Sequence, residues 1–141
     1  MPGDGEPAAF TVHGADDMAA VVDTAIALGV PVHVVSAPGA SASLGPAWFS
    51  RAAAGPLNRA RAAGIAVAAF LDCADRAGDA MAALREPVPG VIFTGIGIAA
   101  DKLAAIAAAQ GVAFRTDRPD SHDLAGTSDA TALVRDVLAA G

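Results

Sequence analysis

Short apolar runs alternate with alanine-rich stretches of helical periodicity along this chain, five times over. The runs are Phe10–His13, Pro31–Ser36, Ile65–Asp72, Val91–Thr94 and Val112–Arg115. Each is short, ends in polar residues and is flanked by glycine, proline or a polar cluster, so each predicts a β-strand. Pro31–Val35 is rich in β-branched residues and lacks polar alternation, which suits a sheet covered on both faces.

Between the strands the period changes to that of a helix. Met18, Val21, Val22, Ile26 and Leu28 form one apolar stripe, with Asp16 as candidate N-cap and Gly29 as the stop. Gly45-Pro46 opens a second helix that carries Trp48 and Phe49. Gly55-Pro56 predicts a kink or restart in it before the stop at Gly64. Further helices are expected from about Arg76 to Arg85 and from about Ile98 to Gln110. A last one, capped by Thr127 or Ser128, should end near Ala140, and Asp117–Gly126 reads as a polar loop.

Strands alternating with helices through short connections predict an α/β fold whose mostly parallel sheet has about five strands. The favoured layout is a single three-layer, flavodoxin-like domain over residues 9–141, preceded by a flexible tail over residues 1–8. The alternative is half of a (β/α) barrel, whose open core would call for a second copy. In either layout the strands' carboxyl ends share one edge, where helix N-termini present free N–H groups and attract anions. That edge would collect His13, Ser36, Asp72 with Cys73, Thr94, and Arg115 with Asp117.

The chain has 141 residues, enough for one core without covalent staples, and a formal charge of −6. An isoelectric point near 4.7 argues against nucleic-acid binding, which needs a basic face. The lone cysteine excludes an internal disulfide and gives no metal-ligand spacing. Residues 1–7 lack the basic and apolar regions of a signal peptide, and no apolar stretch reaches membrane-spanning length. A cytoplasmic protein with no membrane partner is therefore expected. Hydrophobic residues make up 54% of the chain, so few charges remain to cover a small domain, and a homo-oligomer is expected.

Three loops carry the candidate chemistry. In Ser36–Ser43, Gly39 permits close backbone approach and Ser36 and Ser41 offer hydroxyls, although the loop matches neither a Walker loop nor a dinucleotide fingerprint. Thr94-Gly95-Ile96-Gly97 loosely resembles the strand–glycine–helix phosphate grips of (β/α) barrel enzymes; a tight turn would need the same glycines. Asp72–Asp75 is the densest reactive cluster. Asp72 could act as a general base, His13 is placed to reach it, and Cys73 could be a nucleophile or a buried structural thiol. Arg115 could clamp an acidic ligand, as could Arg118, or either could join a surface network with Asp117, Asp120 or Asp123. Trp48 could wall a pocket or anchor a subunit interface with Phe49. His33, among valines, reads as a core or interface residue, and His122 as a solvated one.

Two functions fit. The first is binding of a small anionic or polar metabolite at the sheet edge through Ser36, Gly39, Ser41, Trp48, Thr94, Gly95 and Arg115. Asp72, His13 and Cys73 would then be the groups available for acid–base or covalent chemistry. The second is a non-catalytic, homo-oligomeric interaction domain. No metal and no particular cofactor is implied; an α/β layout alone does not justify naming FMN. The first strand also lacks the paired acids of a response-regulator phosphoacceptor pocket.

Overall fold

In a computed structural model that describes residues 6–140, all six strands lie parallel in one sheet. They are β1 (Ala9–Val12), β2 (Val32–Ser36), β3 (Val67–Asp72), β4 (Gly90–Ile92), β5 (Ala113–Arg115) and β6 (His122–Asp123). The helices are α1 (Ala15–Leu28), α2 (Pro46–Ala63), α3 (Ala77–Arg85), α4 (Ile98–Gln110) and α5 (Ala130–Ala140). The α/β class and the parallel sheet are as expected from the hydrophobic pattern.

The strand order is β5-β4-β3-β2-β1-β6. The first five strands are neighbours in chain order, without the reversal of a flavodoxin-like sheet. Of the two layouts considered, this order is the half barrel's. The sixth strand lies inside the stretch expected to be loop. His122 and Asp123 pair with Phe10 and Thr11 on the free edge of β1. Two polar residues have no strand signature of their own, and only the β1 edge makes them one.

The helices pack side by side in the order α5, α1, α2, α3, α4. Their buried residues, among them Met18, Val21, Phe49, Leu84, Leu103 and Val134, join one core cluster with Phe10, Val12, Val34, Leu71 and Val91 from the strands. Strand residues pointing the other way form a second cluster of Val35, Phe70 and Ile92. Strand alternation explains the split, since successive side chains point to opposite faces. No helix residue belongs to the second cluster. It is covered by the chain's own crossing from β5 to β6, with Arg118 and Ser121 reaching Thr11 and Arg115 lying over Phe70. Val35, Phe70 and Ile92 are thereby buried within the chain itself.

Several element ends differ from expectation for local reasons. α1 begins after Gly14 without a side-chain cap, so Asp16 is not the cap; Asp17 accepts the His13 N–H at 2.9 Å. α2 runs as one element through Pro56, which is buried against the core. Asp129, not Thr127 or Ser128, bonds the first turn of α5, its Oδ1 accepting the Ala132 N–H at 3.0 Å. Of the expected tail, residues 1–5 lie outside the described residues. Ala8 O accepts the His33 N–H at 2.9 Å and Glu6 pairs with Arg115, which ties that part to the sheet.

Candidate functional site

Thr11, Ser36 and Asp72 come from three adjacent strands and meet at their carboxyl ends. Arg118, from the β5–β6 crossing, enters among them. Its Nη1 donates to Asp72 Oδ2 at 2.7 Å and to Ser36 O at 2.9 Å, and its Nη2 donates to Thr11 Oγ1 at 2.8 Å. Asp72 Oδ1 accepts the Ala74 N–H at 2.8 Å, and the Asp72 N–H donates to Ser36 Oγ at 2.9 Å. Thr11 Oγ1 lies 2.6 Å from Ser121 Oγ. The Asp72 side chain is 5% exposed and that of Arg118 22%. The arrangement is a buried carboxylate held by one backbone N–H and by a guanidinium that still touches solvent.

The turn after β3 is strained to make this possible. Ala74 sits in the left-handed region at φ 51°, a conformation that costs a non-glycine residue about 1 kcal/mol. Its N–H is held by Asp72, and its carbonyl accepts the Thr94 N–H at 2.8 Å, which joins the ends of β3 and β4.

His13 does not meet Asp72. Its Nε2 lies 2.5 Å from Asp123 Oδ1, a partner brought alongside by β6. The Asp123 carboxyl is held below the usual carboxylate range, first by the Ala125 N–H and then by His13. Cys73 is fully buried; burial pushes its thiol up to about 11, so it is protonated at neutral pH. Such burial suits the structural thiol of the two readings.

The serine loop is engaged with its own surroundings. Gly39 takes a left-handed φ of 65°, and its carbonyl accepts Arg76 Nη2–H at 2.7 Å. Ser41 Oγ donates to Asp79 Oδ2 at 3.0 Å, which anchors the loop to α3. Ser36 is the one hydroxyl of the loop that belongs to the Asp72 network. Thr94 is exposed, and a Cβ at Gly95 would run into the Phe93 ring. Beyond it, Ile96 is 91% exposed and Ile98 73%. Phe49 is fully buried, which removes it as an interface anchor, while Trp48 is half-buried against the core with its ring 6.2 Å from that of Phe49.

Arg115 lies apart from Arg118. Its Nη1 donates to Glu6 Oε1 at 2.6 Å, and its guanidinium also contacts Asp117. A cavity of about 490 Å³ opens beside it, lined in part by Glu6, Ala9, Arg118, Asp120 and His122. The sequence pattern pointed to Arg115 as the ligand-binding arginine, whereas Arg118 is the one that meets Asp72, and it did not reach Thr11 or Glu6. Neither of those carries a local signal: Thr11 is one residue in a short strand, and Glu6 precedes the first apolar run. Among the described residues no cluster of three or more His, Cys, Asp or Glu could hold a metal ion. No helix among them is long and apolar enough to cross a membrane.

No protein-family model matches the chain, and no curated protein sequence does. Solved structures do match. The YdjI aldolase from Escherichia coli K12 superposes with a TM-score of 0.57 at 16% identity, over 77% of this chain and 42% of that one. A protein from Coccidioides immitis, assigned provisionally as a fructose-1,6-biphosphate aldolase, gives 0.60 at 20% identity, over 77% and 39%. At these identities the likeness is one of fold. The chain is thus an α/β protein sharing its parallel-sheet fold with aldolases, and it spans about two-fifths of the length of each.

Proposed function

We propose that this protein binds a small anionic or polar metabolite at the carboxyl edge of its sheet. The observation that carries the reading is the convergence of Thr11, Ser36 and Asp72 on the partly exposed Arg118. A guanidinium with three of its five N–H groups committed to a resident network and its side chain still 22% exposed suits recognition of an oxyanion. The fold shared with two aldolases, by name enzymes of small metabolites, supports the same ligand class. If chemistry follows, Asp72 is the proton acceptor best placed for it, and the ligand must first draw Arg118 off its carboxylate. His13, committed to Asp123, takes no part.

Native mass spectrometry of protein purified from its own host tests this. A bound small molecule is expected in the wild type and is lost in Asp72→Asn. Ligand-free spectra for both proteins overturn the proposal.

A second reading, a non-catalytic homo-oligomeric domain, draws on the exposed Ile96 and Ile98 at the same end of the sheet. Light scattering distinguishes it: an oligomer that falls to monomer on Ile96→Ser, with no ligand bound, favours this reading.

A further inference from the structure

Arg115 reaches inward from the end of β5 across the Phe70 ring, with its guanidinium carbon 5.9 Å from the ring centroid. It is engaged on two sides by two unlike carboxylates. Asp117 follows it by two residues in the same turn and takes the longer contacts, 3.3 and 3.4 Å from Nη2. Glu6 comes from ahead of β1, 109 residues away, and takes the short one at 2.6 Å to Nη1. The Glu6 side chain is 51% exposed, that of Arg115 only 19%. The cation is built into the fold, whereas the glutamate is laid onto it from outside.

His33 shows that the fit is incomplete. Its Nδ1 is buried and has no hydrogen-bond partner among the described residues. The same Glu6 oxygen lies 4.0 Å away, beyond hydrogen-bonding distance. A buried polar atom left in this way costs free energy that a better-placed acceptor would recover.

We propose that the position held by the Glu6 carboxylate, beside the cavity next to Arg115, is the seat of a compact monocarboxylate ligand, and that Glu6 is its built-in competitor, closing the seat from within. The proposal rests on the reading of the sheet edge as a binding site and supplies the ligand's chemical class and its regulation. Glu6 Oε1 stands 2.6 Å from Arg115 Nη1 and 4.0 Å from His33 Nδ1, so a carboxylate free of the backbone needs only a small shift to accept from both, with the His33 proton on Nδ1. The exchange replaces one carboxylate with another, so the charge of the cavity is unchanged. Asp117 continues to neutralise Arg115, and Arg118 lines the same cavity. Asp117 and Asp120 oppose a second negative charge, which selects a monoanion over a dianion. The cavity, about 490 Å³, has room for a small acid.

Titration of the full chain with lactate, followed by calorimetry and by nitrogen NMR of the His33 ring, tests the proposal. Glu6→Ala, at a half-exposed side chain, is expected to bind lactate about tenfold more tightly than wild type, as for a seat open roughly one-tenth of the time. The His33 Nδ1 resonance should move on saturation, and Arg115→Gln should abolish binding. Equal affinities in wild type and Glu6→Ala, or saturation without movement of His33, overturn the proposal and leave the edge reading standing, since lactate then sits elsewhere. No binding to Glu6→Ala also overturns it, while the native mass spectrum decides the edge reading independently.

Discussion

Arg118 Nη1 lies 2.7 Å from Asp72 Oδ2, which bonds the β5–β6 crossing to the end of the central strand β3. The pair makes the crossing part of the sheet's mouth instead of a loose connection. Removing one partner strands the other. Arg118→Met leaves the Asp72 carboxylate buried with one oxygen unpaired and is expected to cost about 3 kcal/mol, the low end for a broken buried pair because Arg118 is partly exposed. Asp72→Asn keeps an oxygen for Ala74 or Arg118 and should cost about half as much. Urea unfolding of both variants checks the order.

Gly90 and Gly95 are glycines for reasons of close approach, and they should respond differently to alanine. A Cβ at Gly90 would sit 2.5 Å from the Ala69 carbonyl, in the backbone of the neighbouring strand. Neither strand can yield without breaking pairing, so Gly90→Ala should cost about 3 kcal/mol, at the top of the usual overpacking range. At Gly95 the obstacle is the Phe93 ring, a side chain that can rotate, and the cost should be nearer 1 kcal/mol. Thermal unfolding of the two variants side by side tests this; equal losses would show that the β3–β4 contact is not tight.

Cys73 should be inert in the folded protein. Its thiol, raised to about 11 by burial, is protonated throughout the physiological range. Iodoacetamide at pH 8 is expected to modify it only after denaturant is added, whereas rapid native modification would return it to the candidate nucleophiles. The same shift has a stability consequence. A raised folded-state pKa favours the fold at lower pH, so this contribution is lost as pH rises from the thiol's ordinary value of 9.0 through about 11.

His33 should give the protein a mild acid sensitivity. Burial, and then the nearby positive charge of Arg115, hold its pKa below the ordinary 6.5, against the opposing pull of Glu6. Below 6.5 the unfolded chain therefore binds a proton that the folded chain resists, and stability falls as pH drops. His33→Gln should flatten the pH dependence of the urea midpoint between pH 7 and 5, and an unchanged slope would mean that other groups set it.

The hydrophobic rhythm by itself determined that this chain alternates strand and helix in one parallel sheet, and where most of those elements lie. Periods of two and 3.6 are local properties of the backbone, and the core-facing residues, from Phe10 and Val34 to Leu84 and Val134, follow them. It also determined that polar residues gather at the strands' carboxyl ends, since each run carries its own ending.

What only the tertiary structure decided is which of those residues meet. Strand order is settled by the packing of helices side by side, not by any residue's preference, and it chose the half-barrel layout over the flavodoxin-like one. Two-residue β6 exists only because β1 offers a free edge, and with it comes the pairing of His13 to Asp123. Arg118 and Arg115 stand three residues apart in one polar stretch, yet one enters the mouth to meet Asp72 and the other lies over Phe70 to meet Glu6. Contacts between residues dozens of positions apart come from the closing of the chain on itself, and the local sequence carries no record of them.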